Sequence, residues 1–170
     1  MRRLLGALLL TVGGLWAGLW AARELSRRAR ALTSWESALE LLGGELSFHL
    51  PDLPGLLTDL SRRAAPPARN ALAAAHQGLS RLGESSFGEI WEEALTQSTG
   101  GLDEGDMELL VRLGGILGRC GWSEQRGAVE RTRLALEERS RRLQEERRGR
   151  ERTRCVLGLA LGAFAAILLL

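Results

Sequence analysis

Two long uncharged runs, one near each end, restrict this chain more than any other feature. Residues 4–22 read LLGALLLTVGGLWAGLWAA, 19 residues without a charge after Arg2 and Arg3. As a helix such a run is roughly 28 Å long, close to the hydrocarbon thickness of a bilayer. Residues 155–170 read CVLGLALGAFAAILLL, 16 residues without a charge. That run is about 24 Å long, and Arg152 and Arg154 can snorkel to the interface and cover the shortfall. The second run shows no polar face of the kind a helix buried in a soluble core would carry. The sequence therefore predicts a transmembrane helix over residues 1–22, another over 155–170, and one domain over 23–154 between them.

A cleaved signal peptide is the rival for the first run. Cleavage needs small residues in an A-x-A-like pattern, whereas Leu19 precedes Ala21 and Trp20 precedes Ala22. A glycolipid-anchor signal fails for the second run, which lacks the polar spacer. Arginines set the orientation. Arg23, Arg27, Arg28 and Arg30 follow the first run, and Arg147, Arg148, Arg150, Arg152 and Arg154 precede the second. Only Arg2 and Arg3 lie on the other sides. Both spans thus predict a cell-membrane protein whose middle domain is cytoplasmic.

The composition of the chain argues against enzyme chemistry. All 23 basic residues are arginine, so lysine nucleophiles, Schiff bases and a phosphate-loop lysine are excluded. A net charge of +2 gives no case for nucleic acid. Two histidines (His49, His76) and two cysteines (Cys120, Cys155) stand far apart, without metal-ligand spacing. Glu92, Glu93, Asp103, Asp106 and Glu108 read as surface or helix-terminal acids. Ser85, Ser86 and Ser123 read as caps, and Cys120 as a half-buried thiol ending a helix.

The pattern between the runs is helical throughout. The first helix continues to about Phe48, with Leu32, Trp35, Leu39, Leu42 and Leu46 on one stripe. Pro51 and Pro54 break it. A short helix follows over 55–63, and another opens around Pro67 and runs to about Leu82. Ser86 and Glu89 fit a capping box for a helix carrying Ile90, Trp91, Ala94 and Leu95. Asp103 or Asp106 starts the next helix, and Ser123 caps a last one that runs into the second apolar segment. From Glu137 to Arg154, five glutamates are interleaved with eight arginines and no aromatics, the pattern of a solvated face laced with i,i+4 pairs. The expected fold is all-α: a bundle of about six helices flanked by two transmembrane helices.

The stretch LGGILGRCGWSEQR, residues 113–126, places glycines inside an apolar helix, where each costs about 1 kcal/mol relative to alanine. No strand precedes them and no Lys-Ser/Thr follows, so they do not cradle a phosphate. Gly114 and Gly118 lie four apart, on a face with Met107, Leu110 and Leu117, and predict a close helix–helix contact. The same spacing joins Gly14 to Gly18 and Gly158 to Gly162 in the two apolar runs, pointing to helix association in the membrane.

With these elements in order, the sequence resembles the stage III sporulation protein AB family. Leu5-Gly6-Ala7 with Gly14 and Gly18 is similar to the family's first span. Leu42-Gly43-Gly44-Glu45-Leu46-Ser47-Phe48, followed by prolines and Leu53, is similar to its L-x-x-E-I-x-[YF]…P-L stretch. Trp91 and Leu95 match its W-x-x-x-L. Asp106, Leu109 and Leu110 precede Leu113-Gly114-x-x-Leu117-Gly118 and Gln125, which resemble its F-G-x-x-L-G…Q signature. Gly121 departs from it, standing where the family tends to carry aspartate.

The resemblance implies a non-enzymatic component of the channel that mother cell and forespore build across their membranes. The domain is then similar to those of type II secretion and type IV pilus platform proteins, coupling a cytoplasmic ATPase to the channel. The implied partners are that sporulation secretion-type ATPase, other channel membrane proteins, the lipid bilayer and, as an open option, a second copy of the chain. No cofactor, metal or catalytic residue comes with the family, and Trp91, Leu95, Gly114, Leu117, Gly118 and Gln125 are expected to shape the bundle. A platform component of a conventional secretion or pilus system is the alternative. Such proteins usually carry two copies of the domain and more spans.

Overall fold

The computed structural model describes residues 23–47, 52–98, 100–117, 119, 121 and 123–146 in full, and residues 2–22, 48, 122 and 147–169 as helical backbone. Six α-helices and no strand occur among the described residues: α1 (Arg2–Phe48), α2 (Leu53–Arg63), α3 (Ala68–Gly78), α4 (Phe87–Gln97), α5 (Glu104–Leu117) and α6 (Trp122–Leu169). The two apolar runs are thus the outer ends of the two longest helices. Among the fully described residues no helix is long and apolar enough to cross a membrane. The two apolar runs, with Gly14, Gly18, Gly158 and Gly162, lie outside those fully described residues.

Helices α1 and α6 form the spine, packed side by side and antiparallel. Val129 of α6 faces Gly43 of α1, while Arg139 and Arg28 converge on one carboxylate. The α1 stripe of Leu32, Trp35, Leu39, Leu42 and Leu46 is buried. So is the α6 stripe of Ala128, Val129, Thr132, Leu136, Ser140 and Leu143. Each leucine so covered contributes about 2 kcal/mol by leaving water. The opposite face of α6 stays solvated, with Arg133 bridging Glu130 and Glu137, and Arg142 bridging Glu138.

The hairpins α2–α3 and α4–α5 complete the bundle around Trp35 and Trp91. Helix α2 starts at Leu53, two residues before the sequence expectation. The Asp52 carboxylate accepts from the Gly55 N–H at 3.0 Å, and Pro54 has no N–H to leave unpaired. Helix α3 begins after Pro67 and ends at Gly78, tightening into a 3₁₀ turn over Leu79–Arg81. Its start is capped from another helix. The Ser34 hydroxyl of α1 accepts from the Ala68 N–H and donates to the Ala65 carbonyl. Ser123 does not cap α6, which starts one residue before it. The Gly121 carbonyl instead accepts from the N–H groups of Glu124 and Gln125.

The capping box of α4 is complete. The Ser86 hydroxyl accepts from the Glu89 N–H, and the Glu89 carboxylate from the Ser86 N–H. Ser86→Ala is expected to cost about 1 kcal/mol, seen as a drop of a few degrees in the melting midpoint. An unchanged midpoint would show that the box does not hold α4.

Candidate functional site

Helices α4 and α5 pack against each other with glycines at the contact. A methyl group added to Gly88 would stand 3.6 Å from the Cα of Gly115. One added to Gly114 would run into the indole of Trp91. The missing side chain at Gly114 therefore makes the seat of the Trp91 ring. From that seat Trp91 donates its Nε1–H to the Leu110 carbonyl at 2.8 Å, one turn before Gly114. Trp35 meets the same ring edge-on at 5.9 Å, and Phe87 lies tilted at 5.9 Å on another side. Leu95, one turn along α4, is buried in the same core.

Beside Trp91 the bundle opens into an apolar groove of about 360 Å³. Leu42 of α1, Leu57 of α2, Leu72 of α3, Phe87 and Trp91 of α4 and Leu117 of α5 line it. Asp52 and Gln125 supply polar lips, and Leu82, 47% exposed, forms an apolar rim. Gln125 donates its Nε2–H to the Leu117 carbonyl at 3.1 Å, satisfying the end of α5 from α6. The groove involves the C-terminal part of α1 and the first turn of α6. It therefore opens at the end of the bundle away from the apolar runs. Its chemistry suits insertion of large apolar side chains from a partner helix.

Three of the residues singled out in the sequence, Trp91, Leu117 and Gln125, meet at this groove. Gly114 abuts Trp91, and Leu95 is buried in the core. Gly118, His49, Cys120 and Cys155 lie outside the fully described residues. His76 stands near Thr58, its Nδ1 3.4 Å from the hydroxyl. Among the described residues no three His, Cys, Asp or Glu side chains stand together as metal ligands.

The sequence reading misses a second centre at the opposite end. Asp106 reads as a surface or helix-terminal acid, yet its side chain is fully buried. One oxygen accepts from Arg139 Nη1 of α6 at 2.8 Å, the other from Arg28 Nε of α1 at 3.1 Å and from the Asp103 N–H. Asp103 in turn accepts the Asp106 N–H at 2.8 Å and pairs with Arg28. Burial alone would raise the Asp106 pKa. The hydrogen bonds from Arg139 and then Arg28 outweigh it and hold the carboxyl below its ordinary value. The loop before α5 closes tightly over the same place, with Gly101 (φ +103°) against the backbone of Arg27 and Arg28. One carboxylate thus ties α5 to both long helices. The i,i+3 pair of acids at a helix start was the visible signal, and it was equally compatible with an exposed cap.

Comparison with known proteins places these features in one family. The family model described as Stage III sporulation protein AB matches residues 3–170. Stage III sporulation protein AB of Bacillus subtilis (strain 168) is 27% identical over 120 residues, covering 69% of this chain and 70% of that protein. A solved structure of Stage III sporulation protein AB (SpoIIIAB) superposes with a TM-score of 0.64 at 21% identity, covering 72% of this chain and 98% of that one. At that identity the superposition speaks for the fold.

Proposed function

Because this chain belongs to the stage III sporulation protein AB family, we propose that it is a non-enzymatic platform that couples a cytoplasmic secretion-type ATPase to a membrane channel between mother cell and forespore. Family membership carries a sporulation-related role; the ATPase, the channel and the cell-membrane location are our reading. In that reading residues 1–22 and 155–170 anchor the chain, and residues 23–154 face the mother-cell cytoplasm. Other membrane proteins of the channel, or a second copy of this chain, meet the anchors through Gly14 and Gly18 and through Gly158 and Gly162.

The observation that carries the reading is the polarity of the bundle. Antiparallel α1 and α6 send both apolar runs out of one end, while the apolar groove opens at the other. A partner helix seated in the groove can push or turn the bundle, and the spine passes that displacement to both anchors. A conventional secretion or pilus platform gains no support, since the family match runs along nearly the whole chain.

The test is association of the reconstituted full chain with the ATPase. Leu82→Asp, on the exposed rim, is expected to weaken binding at least about tenfold, the cost of burying a charge in an apolar contact, while the melting midpoint holds. ATPase binding that is absent in the wild type would sink the coupling role. Unchanged binding by the variant would remove the groove from it.

A further inference from the structure

Charge is segregated along this chain in a way its net value hides. Residues 23–30 hold four arginines and one glutamate, and residues 141–154 hold seven arginines and three glutamates, a combined +7. Residues 31–140 hold ten arginines and seventeen acids, or −7. The two basic segments are more than a hundred residues apart, but the fold sets them side by side. Arg28 of α1 and Arg139 of α6 share Asp106, which fixes the two helices at the same level. The basic ends of both helices therefore lie together, next to the apolar runs.

Several of these arginines have no internal use. Arg28 and Arg139 are occupied by Asp103 and Asp106. Arg23, Arg27 and Arg30 are exposed on α1. Among the described residues Arg23 and Arg30 form no ion pair, and Arg27 meets only Glu24, at 4.0 Å. Arg141 and Arg142 are exposed on α6 and pair one turn back, with Glu137 and Glu138.

We infer that this end of the bundle is a docking surface for an anionic lipid bilayer: the arginine collar takes up headgroup phosphates. The inference rests on the membrane-anchored reading above. It adds that the domain's posture depends on lipid charge. The attraction reaches only about one Debye length, roughly 8–10 Å, so it acts on the collar and not on the distal groove. Arginine suits the task because its planar fork binds phosphate oxygens two at a time. A nucleic acid fits less well, since glutamates interrupt the arginines and no aromatic side chain is interleaved to stack on bases.

The test uses the full chain in nanodiscs of phosphatidylcholine alone or with added phosphatidylglycerol, read by amide hydrogen exchange. Anionic lipid is expected to slow exchange over residues 23–30 by at least about threefold, and high salt to reverse it. The Arg23→Gln, Arg27→Gln, Arg30→Gln triple variant is expected to lose the response while its melting midpoint stays put. Equal exchange in both lipids overturns the proposal. So does equal protection in pure phosphatidylcholine on adding inorganic phosphate or duplex RNA. Alkaline carbonate extraction separates the two readings. A chain retained in the bilayer but blind to lipid charge refutes the collar alone; a chain extracted from both lipids refutes the anchors and the collar with them.

Discussion

Trp91→Ala is expected to destabilise the helical domain by about 4 kcal/mol, a large part of the stability of a domain this size. The indole is almost wholly buried, touches Trp35 and Phe87, fills the space left by Gly114 and donates to Leu110. Removing it leaves a cavity at the crossing of α4 and α5. The full chain in detergent should melt roughly 15 °C lower. Trp91→Phe keeps most of the volume and loses the N–H donor, so it should cost only about 1–2 kcal/mol. Gly114→Val attacks the same contact from the other side, with an overpacking cost of about 3 kcal/mol. Residues in direct contact couple, so the double variant should cost less than the two single costs combined. Strict additivity would mean that Gly114 and Trp91 do not share a seat.

Asp106→Asn carries the other large effect. The wild-type carboxylate satisfies Arg28 and Arg139 at once, and breaking such a pair costs about 3–5 kcal/mol when the partners stay buried. Here Arg28 and Arg139 are 30% and 35% exposed and keep Asp103, so about 3 kcal/mol is expected. The loss should depend on pH. Asp106 has a folded pKa below its unfolded value of about 3.9, so its contribution is complete above that value. It is lost as pH falls from there through the lower folded value. The melting gap between wild type and Asp106→Asn should therefore be full at neutral pH and shrink in acid below about pH 4. A gap that stays constant into acid would show that the ionised form of Asp106 is not what holds the two arginines.

Both predictions concern residues that the sequence treats unequally. Gly114 and Trp91 were legible, because a glycine in an apolar helix and a tryptophan on a buried stripe each demand a packing explanation. That they explain one another was not, since nothing local says which ring meets which glycine. Asp106 was misread for a related reason. An acid at a helix start satisfies backbone N–H groups whether or not tertiary structure covers it, and its arginines lie 78 and 33 residues away. The groove escaped sequence reading altogether. Five helices each contribute leucines or aromatics to it that look like ordinary core in isolation.

The sequence by itself determined the order of the helices, the buried stripe of α1, the α4 capping box and the membership of the family. Each of these is written in spacings of three or four residues, in capping residues, or in the order of motifs along the chain. The tertiary structure alone decided that Asp106 is buried, that an apolar groove opens at one end, and that two basic segments distant in sequence lie together at the other. Local signals fix backbone conformation because the forces behind them act within one helical turn. Burial, cavities and summed charge depend on which helix faces come together, and packing settles that across the whole domain.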